Sequence, residues 1–430
     1  MTEVLSSGPI LSSRAKLPAA GARRKVSVPS AFWFWSVLVF LVLEYARIPG
    51  VVQLRLQFLI VLALPIAWFL AREKPFTPLL GAQLCFLLLC AAAVPFAWNY
   101  YAAYFTTRVM FGNLSIAFGM AWLFSYRPYF VRGVWVWCAI MAYIALFSLL
   151  HGGRGPGGFL GDENDLALAC VTALGFAFFG IEQFPGRKRW ACAALGVLLT
   201  VAVVKSFSRG GFVGLVAVGV YCFAVSRHKL RNSLVLLVSV LAFLLFASSE
   251  YIEEIKTITD TKEGTAQGRR FLWTTATNMW LDHPVLGVGG NNFQYLAGRY
   301  QPRNDPRFQT PEYLERDWGG TVTHSAYFQA LAEQGLVGIA LIGFIGFTHF
   351  RTLRRLRRDV RHAGRIPSEL KRDAELYTNA LGATMVGYAV SGLFVSVAYY
   401  PYFWYFSALS IALDAALRRE LRSARMAQPS

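Results

Sequence analysis

The chain alternates long apolar runs with short polar connections. Twelve runs stand near 32–47, 57–71, 77–97, 109–125, 133–150, 164–181, 190–205, 210–226, 232–249, 325–348, 376–397 and 402–418. Several approach the ~20 residues that a helix needs to cross a bilayer. The pattern predicts an all-α polytopic membrane protein with about twelve transmembrane helices. The runs at 57–71 and 190–205 are short and are expected to be tilted or interrupted. One transmembrane domain, 32–430, holds all the runs and shows no internal repeat. Before it, residues 1–31 form a basic leader rich in Ser, Gly, Ala and Pro, a composition that favours disorder. The first run has no small-x-small cleavage site beyond its apolar core, so it reads as an uncleaved anchor.

A single connection is long: 249–323, an insertion between the ninth and tenth runs. Within it, Leu272, Ala276 and Met279 recur at helical spacing, and Trp273 and Trp280 form a neighbouring stripe. These predict a helix over 268–281, suited to lie along a bilayer surface. Pro284 follows, and the residue before a proline avoids helical geometry. Gly287, Gly289 and Gly290 predict a turn, and the polar stretch 299–319 reads as a flexible flap. Shorter connections include a glycine-rich segment at 151–158, a tight hairpin from Lys205 to Gly211, and an aromatic girdle over Tyr399–Trp404.

Composition agrees with the pattern. Hydrophobic residues make up 55% of the 430 and charged ones 15%, too apolar for a water-soluble fold. The net charge of +18 suggests nucleic acid, but its distribution does not. Alternating runs divide the connections between two sides. One side, with both termini, carries 28 of the 42 Lys and Arg; the short connections opposite carry 6 and the insertion 8. The positive-inside rule then puts the termini in the cytoplasm and the insertion outside, in a bacterium the periplasm. No nucleic-acid-binding element accompanies the charge, so nucleic acid is not an expected partner. The six cysteines all fall in apolar runs and read as small core residues. No residue cluster has metal-ligand spacing, so no metal or other cofactor is expected.

Candidate chemistry gathers on the outer side. His324 precedes the tenth run; an imidazole titrating near neutrality can accept a proton from an attacking hydroxyl. It also fits an interfacial histidine serving backbone groups or water. Arg209 opens the eighth run within Ser-Arg-Gly-Gly, where a guanidinium and helix N–H groups can hold a phosphate. Lys205 adds charge nearby, and Arg269 and Arg270 begin the predicted helix of the insertion. The plain alternative for these four is a surface or snorkelling cation. Asp162 and Asp165 precede the sixth run and are secondary candidates as acid or base, although Asp162 and Asn164 also suit a helix cap.

In order along the chain stand Ser-Arg-Gly at 208–210, Gly-Arg-x-x-x-Trp at 268–273, Asp-His-Pro-Val-Leu-Gly-Val-Gly-x-Asn-x-Phe at 282–293, and His-Ser-x-x-Phe followed by Gly335. This set resembles the bacterial O-antigen ligase and polymerase superfamily, and most nearly its ligases. The resemblance covers the helical layout, while its sharp motifs lie within about 200–340. It implies a membrane glycosyltransferase architecture of the GT-C kind. The implied reaction moves a glycan from a polyprenyl-diphosphate donor to a sugar hydroxyl of the lipid A core, with inversion and without metal. The enzyme would sit in the inner membrane with its site on the periplasmic face. His324 matches the family histidine, and Arg209 and Arg269 match its arginines. Thr323 stands where some ligases have a second histidine. Polymerase and protein O-oligosaccharyltransferase activities belong to the same superfamily. From another class, a polysaccharide or lipid transporter is disfavoured: Glu44 and Asp414 lie near run ends and charge within the runs is nearly absent.

Overall fold

The computed structural model describes residues 28–47, 56–229, 264–363 and 366–426. Its longer helices are α1 (Ala31–Ala46), α2 (Leu56–Leu70), α3 (Pro78–Ala93), α4 (Tyr100–Leu123), α5 (Arg127–Leu150), α6 (Glu163–Gln183), α7 (Gly186–Lys205), α8 (Arg209–Val225), α9 (Gly264–Asp282), α10 (Ala326–Arg361), α11 (Ser368–Ser391) and α12 (Pro401–Met426). No strand occurs among the described residues. Four helices are long and apolar enough to cross a membrane: α3 with its 3-10 extension to Phe96, α5, α6 and α10. Helices α1, α2 and α8 are apolar but shorter. This all-helical, apolar bundle fits a membrane protein. The predicted run at 232–249 lies outside the described residues, as do most of the leader and residues 249–263 of the insertion.

Helix starts carry local chemical marks. Thr77, Asn99, Asp162 and Ser208 each accept a backbone N–H of the following first turn, which ends α3, α4, α6 and α8 with satisfied donors. Small residues then let helices approach closely. A Cβ at Gly175 of α6 would lie 2.6 Å from the Ala383 Cβ of α11, and one at Gly214 of α8 would lie 2.0 Å from the Ser391 hydroxyl. Between lipid-soluble helices such contact replaces the hydrophobic drive that water supplies. Helix α6 packs against α7, α8 and α11, while α12 packs against α4, α10 and α11. Five cysteines are buried as expected; Cys85 faces outward on α3.

The insertion has its own core. Phe271, Leu272, Ala276 and Met279 of α9 are buried with Val288, Phe293, Phe308, Tyr313 and Trp318. The Phe271 ring stacks on Trp318 at 4.3 Å. The stretch 299–319 is therefore no loose flap: a 3-10 turn at Pro306–Phe308 and a short helix at Pro311–Leu314 pin it to α9. The indole N–H groups of the two tryptophans of α9 find partners within the protein. Trp273 stacks on Phe328 at 5.0 Å and donates to Thr323 O, and Trp280 donates to Pro284 O.

Helix α10 is broken at Gly335, whose φ of 63° and ψ of −161° leave the helical region. The turn at 284–289 repairs the break. Val288 N and Gly289 N donate to Ala332 O and Glu333 O, and Leu336 N and Val337 N donate to Pro284 O and Val285 O. A Cβ at Gly335 would lie 2.4 Å from Val285 O. Two motifs far apart in sequence are thus one piece of backbone.

Candidate functional site

His324 lies two residues before α10, held by backbone on both sides. Thr323 is buried; its hydroxyl donates to Ser325 O at 2.8 Å and meets the Ser396 hydroxyl at 3.0 Å. Ser325 caps α10 without its side chain, and the first donor of the helix goes instead to Gly392 O at 2.8 Å, from Ala326 N. Between these anchors His324 takes φ 48°. A non-glycine residue there carries steric strain, which the flanking contacts hold in place.

His324 is exposed to solvent, yet enough protein surrounds it to lower its pKa below the usual histidine range. Burial is the first cause, the positive charge of Arg269 the second, and Asp162 pulls the other way. Arg269 lies over the Phe394 ring at 5.6 Å. Phe394 also packs against Gly210, where an added Cβ would come within 2.8 Å of its Cβ. Next in sequence, Ser208 donates its hydroxyl to Asn164 Oδ1 at 2.7 Å and accepts Gly211 N at 3.0 Å. Arg209 sits between these two tethers, half-buried at the start of α8.

Contacts thus draw His324, Arg269, Arg209, Asp162 and Asp165 to one end of α6, α8 and α10. Asp162 caps α6 by accepting Asn164 N at 2.8 Å. Asn164 is no cap; it ties α6 to α8 through Ser208. Asp165 is buried and accepts the Tyr400 hydroxyl at 3.2 Å, so it joins the aromatic girdle to this end of α6. Lys205 and Arg270 are exposed and no contact ties them to the cluster. The Lys205 carbonyl instead backs Gly153, where a Cβ would lie 2.5 Å away. Among the described residues, no group of three or more His, Cys, Asp and Glu is placed to hold a metal.

Other residues of the insertion and the loops have structural work. His283 O accepts Gly287 N, and its Nε2 meets the Tyr300 hydroxyl at 3.3 Å. The N–H groups of the glycine turn at 288 and 289 serve α10. His151 stacks on Phe147 at 3.8 Å. Reading the chain alone also missed Glu333, a carboxylate inside α10 that is 2% exposed and accepts Phe293 N at 3.2 Å. The signal was present as a lone acid nine residues into an apolar run. Phe394 gave no signal, because an aromatic residue in an apolar run is ordinary.

Residues 193–343 match the family model described as O-antigen ligase. This covers about a third of the chain and includes Arg209, Arg269, Arg270 and His324. No curated protein matches the chain.

Proposed function

We propose that this chain, placed by its central stretch in the O-antigen ligase superfamily, transfers a glycan from a polyprenyl-diphosphate donor to a sugar hydroxyl of the lipid A core. The reading also places it in the inner membrane with this end of the bundle facing the periplasm. The observation that supports the mechanism is the lowered pKa of His324 beside the charge of Arg269. Burial and the guanidinium favour the neutral imidazole, the form able to take a proton.

The proposed step balances simply. The acceptor hydroxyl gives its proton to a ring nitrogen of His324 as its oxygen bonds to the anomeric carbon. The bond from that carbon to the diphosphate oxygen breaks with inversion, and the electron pair leaves on the diphosphate. Negative charge grows on the leaving oxygen, where Arg269 and Arg209 are placed to offset it. Their guanidinium forks suit phosphate oxygens better than a lysine would. Asp162 favours the imidazolium that forms.

The test uses membranes from cells making this protein, a lipid-linked glycan donor and a lipid A core acceptor. Transfer is expected with the wild-type chain and absent without acceptor. Joining of donor repeats to one another, with none reaching the core, would assign the polymerase reaction instead. Glycan appearing on protein would assign the protein-glycosylating one.

A further inference from the structure

The far end of the bundle carries a second cluster of charge that this chemistry does not use. A small cleft opens between the ends of α6, α8 and α10 and the start of α11, lined by Glu182, Arg227, Arg357, Arg361, Lys371 and Glu375 among others. Three of the charges are accounted for by neighbours: Arg227 pairs with Glu375 at 2.6 Å, and Glu182 accepts the Ser226 hydroxyl. Arg357 is braced by neutral groups, donating to Asn379 Oδ1 at 2.9 Å and meeting the Tyr221 hydroxyl. Among the described residues, no carboxylate lies within ion-pair distance of Arg357, Arg361 or Lys371.

Cations near helix C-termini have an ordinary role in offsetting the helix dipole. That accounts for Arg361 in the last turn of α10. It does not account for Lys371, the fourth residue of α11, where a cation opposes the dipole. A lysine at a helix N-terminus, sharing a cleft with two arginines while the cleft's carboxylates Glu182 and Glu375 are engaged by Ser226 and Arg227, is stabilised when an anion stands between them. The cavity is about 40 Å³, room for about three waters at ~10–15 Å³ each.

We propose that this cleft binds one phosphate group, presented by an anionic phospholipid at the membrane surface opposite His324. Basic pockets between membrane helices are a recurrent setting for such headgroups. The site lies on α10 and α11, which also hold the backbone around His324, but it is separate from the transfer chemistry.

The experiment uses the full chain in phosphatidylcholine nanodiscs, with phosphatidylglycerol or inorganic phosphate added, and reads thermal stability and retained lipid by native mass spectrometry. Phosphatidylglycerol is expected to raise the melting temperature and to remain bound. Arg357→Gln combined with Lys371→Gln should weaken that retention at least about tenfold, by loss of charge-assisted contacts. Arg361→Gln, at the exposed rim, should weaken it in a chain whose packing is untouched. Arg351→Gln, on the same helix but outside the cleft, should leave it unchanged. Equal retention in wild type and both cleft variants would overturn the proposal. So would an equal loss from Arg351→Gln, which would mean general surface charge. Stabilisation by inorganic phosphate with none from the lipid would overturn the lipid as its source.

Discussion

At the scale of single residues, the geometry makes the pH response of His324 a sharp test. A general base works in its neutral form, so the rate falls as pH drops through its pKa. Because that pKa is lowered, the acid limb should lie below the ordinary histidine range. Arg269→Gln removes a cause of lowering and should move the limb to higher pH. Asp162→Asn removes the opposing charge and should move it to lower pH. Limbs that stay put in both variants would show that some other group titrates. His324→Ala should cost about 10²–10⁴ in rate, the usual worth of a positioned base, with donor binding kept. Arg209→Ala and Arg269→Ala should each lose about 10- to 150-fold, the worth of a charge-assisted contact of roughly 1.5–3 kcal/mol. Full transfer by both alanine variants at normal protein level would remove the diphosphate role.

At the scale of elements, the break in α10 supports the site without touching substrate. Gly335 needs a backbone region that other residues enter only with strain of about 1–3 kcal/mol. An alanine there also collides with Val285 O. Gly335→Ala should therefore lower the melting temperature of the purified chain and reduce transfer although His324 and both arginines remain. An alanine variant with unchanged melting would mean that the turn at 284–289 does not bind α10 as tightly as its hydrogen bonds indicate. The pinned stretch 299–319 makes a parallel claim. Phe271→Ala empties the centre of the core beneath it, a change worth about 3–5 kcal/mol in a packed core. Limited proteolysis should then cut within 299–319 well before the wild type is cut. Equal cutting rates would restore the loose flap.

At the scale of the whole molecule, the site and the cleft lie at opposite ends of α10, so the two proposals stand on one topology. Excess basic residues on one side predict that Gly157 and Trp318 face the periplasm and Arg358 the cytoplasm. Gly157→Cys or Arg358→Cys in a chain cleared of reactive native thiols reports this directly. An impermeant reagent on intact spheroplasts should label position 157 and spare 358. The reverse pattern would place His324 in the cytoplasm and end the proposed transfer reaction. Close packing at Gly175, Gly214 and Gly387 couples α6, α8 and α11, so both ends share a stiff frame.

Much of this molecule was legible before any coordinates. Apolar runs marked the helices because lipid accepts a backbone only when its hydrogen bonds close locally. The end of α9 shortly before Pro284 and the cap at Asp162 also followed from local rules of spacing and capping. What stayed hidden depends on contacts between distant residues. That Asn164 ties to Ser208, that Arg269 rests on Phe394, and that 284–289 completes α10 are facts about neighbours in space, which no local pattern records. The same holds for the flap, whose Phe308, Tyr313 and Trp318 rings meet Phe271 of α9. The helices follow from the chain's own solvent preferences. The electrostatics of His324 and the uncompensated charge at Lys371 come into being only when the helices pack and set the distances between charges.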